Sequence, residues 1–440
     1  MSTVTVGFAG MTHLGLVSAV ATASKGFTVI GFDRDAALIE RLRAGKLPVL
    51  EPGLDDMLAA NGARQQFSAD FADLAKCDVV YIASDVPTDD AGRSDLTGIR
   101  TLIADVIAKL SPNAILVVLC QVPPGFTRAL PLAHDRLYYQ VETLVFGRAV
   151  ERATEPERFI VGCADPSRPL PATYRKVLEA FDCPILPMRY ESAELAKISI
   201  NMCLVASIGV ANTMAELCEH VGADWSEIVP SLKLDRRIGQ YSYLAPGLGI
   251  AGGNLERDLA TVIRLAGEHE TDSGIVQAWL TNSRHCRDWA LRTLRAAVLE
   301  KNKDPLVAVW GLAYKENTHS VKNSPSLATL KQIPGVRLSL HDPVVPAEKA
   351  EHPRAEAAAD ALGALKGADA LMILTPWPEY RGIDPAAIAA ALPGKLVIDP
   401  YRVLDPQKAR AAGLTYFTLG MPPLHAAGAS AQKSKECCTT

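Results

Sequence analysis

Apolar and polar positions along the chain follow two rhythms: short apolar runs ending at glycine or aspartate, and longer stretches with helical spacing. Residues 4–10 (VTVGFAG) form an apolar strand running into glycine; a helical stretch follows, and a second strand, Thr28–Phe32, ends at Asp33. Residues 306–312 (LVAVWGL) repeat this grammar, with a later strand, Val336–Leu340, ending at His341-Asp342-Pro343. Each half carries another buried strand, Asp78–Ala83 and Ala370–Leu374. Strands alternating with helical patterns predict parallel, doubly wound sheets. The expectation is an α/β chain with two Rossmann-like domains, 1–190 and 300–425, joined by a helical region, 191–299.

Between the two halves a helical pattern runs from about Ser192 to Val221, with Gly222 as its C-terminal cap. Its apolar positions go nearly all the way round, which predicts a buried helix at a subunit interface. Glu194, Lys197, Asn201 and Asn212 fall near one stripe, because spacings of 3, 4 and 11 residues are close to whole turns. A lysine and an asparagine one turn apart on such a helix are costly unless paired or used. Aimed at one spot, they stabilise a developing alkoxide or oxyanion. The alternative is a salt bridge that orders a domain interface. The tail 426–440 (AAGASAQKSKECCTT) is small and polar and is expected to be disordered.

Composition narrows the class. The 440 residues are 48% hydrophobic and 21% charged, the profile of a soluble globular enzyme with more than one domain. A net charge of −4 with both signs interspersed points to neither nucleic acid nor an anionic membrane as partner. The start, Val4-Thr5-Val6-Gly7-Phe8, follows no basic region with a cleavage site, and the most apolar run, Ala114–Cys120, is too short to span a bilayer. Nine cysteines without metal-ligand spacing predict free thiols in a reducing cytoplasm and no metal site.

Gly10-Met11-Thr12-His13-Leu14-Gly15 follows the first strand and opens a helix. Gly10 and Gly15 take the first and third positions of a dinucleotide fingerprint, and Thr12 takes the middle glycine's place. Asp33, 23 residues past Gly10, is placed to accept hydrogen bonds from both ribose hydroxyls and to repel a 2′-phosphate, which favours NAD. Pro87 is grouped with these cofactor residues. The competing reading is a structural strand–turn–helix with a solvated aspartate. Farther on, residues 246–258 read PGLGIAGGNLERD. Gly249 and Gly252 permit close backbone approach to a ligand, and Arg257-Asp258 is a charged pair able to hold a phosphate or polarise a water. The loop follows Arg236-Arg237-Ile238-Gly239, a basic, anion-receiving stretch; alone it also reads as a flexible turn.

Further motifs follow in order: Glu51-Pro52-Gly53-Leu54, Val122-Pro123-Pro124-Gly125, Pro156-Glu157-Arg158 through Gly162, Lys197-x-x-x-Asn201 and Gly222-Ala223-Asp224. Gly311-Leu312-Ala313-Tyr314-Lys315, Ser324-Pro325, Thr375-x-Trp377 and Asp399-x-x-Arg402 complete the series. From residue 4 to about 420 the chain resembles the UDP-glucose/GDP-mannose dehydrogenase family. That resemblance implies oxidation of a sugar nucleotide's primary alcohol to a carboxylate with two NAD, without release of the aldehyde. It implies that Lys197 and Asn201 stabilise the oxyanion, Asp258 orients water and Glu142 assists proton transfer during thioester hydrolysis. Lys315 and Arg402 are then expected to contact a nucleotide sugar, UDP being the family's commonest carrier. Arg237 is expected to reach a neighbouring subunit's site, which implies a homodimer built on the central helix.

The departures fall on the chemistry. The family's catalytic cysteine, four residues before the aspartate, is Asn254; its catalytic threonine is Gln121; the lysine before Asp258 is Arg257. In the C-terminal half, positions usually Asp and Arg are Ser320 and Lys322. A second oxidation through a thiohemiacetal needs a thiol, and an amide cannot form that adduct. The expectation is a single two-electron step giving an aldehyde or ketone. Competing readings are acid formation through the aldehyde hydrate, a relocated thiol at Cys120, an NAD-retaining epimerase, and a non-catalytic nucleotide-sugar binder.

Overall fold

Two parallel sheets carry the chain. In the computed structural model, which describes residues 4–87, 89, 93–251 and 254–426, the first comprises β1 (Thr5–Ala9), β2 (Thr28–Phe32), β3 (Gln65–Ser68), β4 (Val79–Ile82), β5 (Ile115–Val118), β6 (Leu137–Gln140), β7 (Phe159–Cys163) and β8 (Ile185–Arg189). The second comprises β9 (Leu306–Trp310), β10 (Arg337–His341), β11 (Ala355–Ala357), β12 (Ala370–Ile373), β13 (Leu396–Ile398) and β14 (Thr415–Phe417). Strand order is β3-β2-β1-β4-β5-β6-β7-β8 in one and β11-β10-β9-β12-β13-β14 in the other. Each therefore begins with the doubly wound order of a dinucleotide fold. All pairings are parallel except β6 with β7, where Tyr139 faces Gly162. Strand ends differ from the sequence expectation by a residue or two, the usual uncertainty of fraying termini.

Residues up to Met202, with Arg257–Leu265, form one compact unit around the first sheet. Its core includes Val6, Phe8, Phe32, Val80, Val117 and Tyr139. Cys203–Glu256 and the residues from Ala266 onward form the other, with a core around Val309, Trp310, Leu340, Met372 and Ile398.

The same lock closes the first crossover of each sheet. Gly10 and Gly311, with φ of +102° and +96°, lie where a Cβ would stand 2.6 Å from the Ser84 Cβ and 2.4 Å from the Thr375 Cβ. The aspartate ending the next strand then turns back on the glycine's successor: Met11 N donates to Asp33 Oδ2 at 2.7 Å, and Leu312 N to Asp342 Oδ2 at 2.6 Å. Asp342 also accepts from Ala313 N, Trp377 Nε1, Val344 N and Val345 N.

The central helix spans Tyr190–Val221. Within the single chain one face of it stays open: Val210, Met214, Leu217 and Val221 are 55%, 39%, 49% and 65% exposed. Their spacing of four, three and four residues makes one apolar stripe, so the all-round apolar pattern includes a face that this chain leaves uncovered. By length and composition the helix is apolar enough to cross a membrane. Yet its Glu194, Asn201 and Asn212 are buried and hydrogen-bonded to other segments of their own units, as in a core helix.

Candidate functional site

The N-terminal fingerprint has the local shape its residues require. At Gly15 a Cβ would stand 1.8 Å from the Gly10 carbonyl oxygen, so the first helix, His13–Ser24, reaches the strand only with glycine there. Leu16 N to Thr12 O, 2.9 Å, is its first helical bond. The N–H groups of His13, Leu14 and Gly15 are thus left for an acceptor outside the helix, which is what a pyrophosphate needs. Thr12 supplies no side-chain cap to them. Asp33 Oδ1 accepts from Asp35 N at 3.0 Å, and each of its oxygens keeps acceptor capacity. These residues fit a dinucleotide. Pro87 lies exposed beyond β4 and accepts from Asp95 N.

At the C-terminal ends of β5 and β6 a polar cluster gathers. Asp258, 1% exposed, is held from both sides by amides: Gln121 Nε2 donates to Oδ1 and Asn201 Nδ2 to Oδ2. Arg257 donates to the other end of the Gln121 amide, and its Nε stands 3.5 Å from Asp258 Oδ1. The sequence reading gave Arg257-Asp258 to a phosphate or a water; the fold buries both residues on Gln121. Burial pushes the Asp258 carboxyl up, against the pull of Arg257, Asn201, Lys197 and Gln121. Lys197 Nζ donates to the Glu142 carbonyl oxygen at 2.8 Å and pairs with its carboxylate at 3.2 Å. The lysine and the asparagine one turn apart therefore engage two neighbouring carboxylates. Cys120 is wholly buried beside this cluster, and burial raises its thiol to about 12.

Two of the helix's polar positions do other work. Glu194 accepts from Gly125 N (2.6 Å) and Thr127 N (2.8 Å), fixing the turn that follows Gln121. Asn212 accepts from Gly247 N at 2.8 Å. The single stripe expected from their spacing is thus divided between contacts to two carboxylates and contacts to backbone N–H groups. Sequence reasoning also missed His13, which is buried between the Phe146 ring and Glu51, with Nε2 at 3.0 Å from Glu51 Oε2. Glu51 in turn accepts from Gly147 N and Ala149 N and so anchors the segment after Glu142. Its place in Glu51-Pro52-Gly53-Leu54 was the available signal.

In the second unit, Gly249 (φ +74°) backs onto the Gly274–Arg287 helix; a Cβ there would meet the Ser283 carbonyl at 2.4 Å. The structure gives this glycine a packing role of its own. Ser283 Oγ also accepts from Ile250 N, 2.8 Å. Gly252 lies outside the described residues, as do residues 427–440 of the tail. Asn254 is the exposed first residue of the helix Asn254–Glu268, one turn before Asp258. Glu256, unremarked in sequence, accepts from Arg287 and Asn323 and ties that helix to the segment bearing Lys315, Ser320 and Lys322. Lys315 is half-buried over the Tyr314 ring. Arg237, its side chain 89% exposed, folds onto Asp235. Arg402 (φ +52°) donates to Ser226 Oγ and Asp224 Oδ1 at 2.5 and 3.0 Å. Among the described residues no group of His, Cys, Asp and Glu is arranged to hold a metal.

Comparison with known proteins covers almost the whole chain. Models of the UDP-glucose/GDP-mannose dehydrogenase family match as its NAD binding domain over 4–182, its central domain over 191–284 and its UDP binding domain over 308–406. The UDP-glucose 6-dehydrogenase of Pseudomonas aeruginosa is 31% identical, across 94% of this chain and 96% of that protein. The UDP-glucose 6-dehydrogenase TuaD of Bacillus subtilis is 27% identical, across 94% and 92%. Among solved structures, a UDP-glucose dehydrogenase from the archaeon Pyrobaculum islandicum superposes with a TM-score of 0.83 at 28% identity, covering 95% of this chain and 98% of that one.

Proposed function

The chain belongs to the UDP-glucose/GDP-mannose dehydrogenase family of NAD-dependent nucleotide-sugar oxidoreductases, and from that premise we propose that it carries out one two-electron oxidation of a sugar-nucleotide hydroxyl and stops at the carbonyl. The observation that carries this reading is Asn254 at the head of the Asn254–Glu268 helix, one turn before Asp258, where the family's thiol would stand. NAD, when bound by Gly10, Gly15 and Asp33, supplies the hydride acceptor.

The other tasks fall to side chains. The Lys197 ammonium stabilises the alkoxide as the hydroxyl proton departs, and Glu142, 3.2 Å from it, takes the proton. Asn201 and Gln121 hold the Asp258 carboxylate from both sides, so Asp258 acts as a fixed negative partner to Lys197. Lys315, Arg402 and Arg237 are assigned to the nucleotide sugar, with UDP as the favoured carrier. The apolar stripe of the central helix supports a homodimer, with Arg237 serving the neighbouring site. Cys120 is a poor substitute nucleophile, because a thiol held near 12 is almost wholly protonated at neutral pH.

The test is NADH formed per sugar consumed, across UDP-, GDP- and dTDP-sugars, with product mass recorded alongside. One NADH and a loss of two hydrogens is the expected result. Two NADH and a carboxylate product would overturn the single-step reading in favour of a hydrate route. Isomerised sugar with no net NADH would indicate an epimerase, and binding without reduction a non-catalytic protein.

A further inference from the structure

Two residues at the cofactor fingerprint, Thr12 and Asp85, form one device. The Thr12 hydroxyl accepts from Asp85 N at 2.9 Å and lies 3.5 Å from the Ala83 carbonyl oxygen to which it donates. Ser84 fills the space beside Gly10, and Ala83 N donates to Ala9 O at 2.8 Å. Residues 83–85 are thereby pinned against the start of the first helix, with Asp85 on the accessible side. The threonine in the fingerprint's middle position is what tethers the aspartate there.

The helix end that Asp85 faces is the one whose first-turn N–H groups have no acceptor within the helix. The Thr12 hydroxyl, His13 and the Leu14 N–H all favour the ionised Asp85 carboxyl. Glu142 opposes them, and Cys120 also faces the group. Although the residue keeps an exposed edge, its carboxyl is crowded by these groups, and the lost hydration raises its affinity for a proton. A helix N-terminus favours an anion, and two anions at one N-terminus repel.

We propose that Asp85 sets the cofactor affinity of this protein: its carboxylate competes with the dinucleotide pyrophosphate for the N-terminus of the first helix. The inference rests on the reading that NAD binds at this fingerprint. Thr12 and Asp85 together weaken binding of the dinucleotide at neutral pH, and protonation of Asp85 relieves the competition.

The test is calorimetric titration of the full chain with NAD, between about pH 5 and pH 8. Asp85→Asn is expected to bind NAD about tenfold more tightly than the parent at the upper end, with a flatter pH dependence. Asp85→Ser, lacking the amide, is expected to shift the same way, and thermal melts verify that both variants fold. Asp33→Asn is the control that weakens NAD. If Asp85→Asn and Asp85→Ser bind no more tightly while Asp33→Asn still weakens NAD, the competition is refuted and the cofactor site stands. If Asp33→Asn has no effect, or neither the parent nor Asp85→Asn binds NAD, the fingerprint reading falls and the inference with it.

Discussion

Replacing Gln121 with methionine tests whether the departures around Asp258 form one coupled unit. Methionine keeps roughly the length of glutamine and removes both ends of its amide. The Asp258 carboxylate then loses one of its two amide donors, and buried Arg257 loses its acceptor. Hydrogen bonds to charged groups contribute about 1.5–3 kcal/mol each. Because Gln121 is only half-buried, we take the lower part of that range, so the two together amount to about 3 kcal/mol. In a unit of about 200 residues this corresponds to a melting shift of roughly 6–12 °C. Scanning calorimetry reads the shift, and a cycle with Arg257→Met reads the coupling. The double variant is expected to lose at least 1 kcal/mol less than the sum of the singles, because each single strands the other's partner. Strict additivity, or a Gln121→Met loss below about 0.5 kcal/mol, would refute the bridge.

Three further outcomes follow. Lys197→Ala is expected to abolish NADH formation while keeping the far-UV spectrum, with a lowered melting temperature because Glu142 loses its partner; undiminished turnover would remove Lys197 from the chemistry. Iodoacetamide is expected to leave activity largely intact, and substrate-protected inactivation mapped to Cys120 would reverse that conclusion. Burial raises the Glu219 carboxyl to about 7 from 4.5, against the hydrogen bond from Trp289, so folding takes up a proton between those values. That contribution is complete below about pH 4.5 and is lost as pH rises through about 7; Glu219→Gln is expected to flatten this slope in urea midpoints, and an unchanged slope would place the proton elsewhere.

Much of the architecture was legible because a strand ending at glycine or aspartate before a helical period is a local signal. Gly10, Gly15 and Asp33 stand out this way, and the geometry gives each a local structural reason. The partners of Glu194, Asn212 and Arg257 were not legible. Periodicity reports which face of a helix is buried, but not which distant segment meets it. Gln121 and Arg257 are 136 positions apart, and nothing local at either residue announces the other. The same limit explains why Glu194 and Asn212 looked like members of one stripe with Lys197 and Asn201. The apolar girdle of the central helix was read correctly as composition, but composition does not separate a face packed by the chain itself from one left open.

The two sheets share a lock in which the aspartate ending the second strand turns back on the glycine turn, yet the two copies are not equally employed. Asp342 accepts five N–H groups, more than the four lone-pair positions its carboxylate offers in ideal geometry. Asp33 accepts two. A saturated carboxylate has nothing left with which to read a sugar's vicinal diol, whereas Asp33 has room for both hydroxyls. One architecture used twice therefore leaves acceptor positions open in the first half and makes an internal clamp in the second. Adding a second dinucleotide site to this chain would require dismantling that clamp before building any new contact.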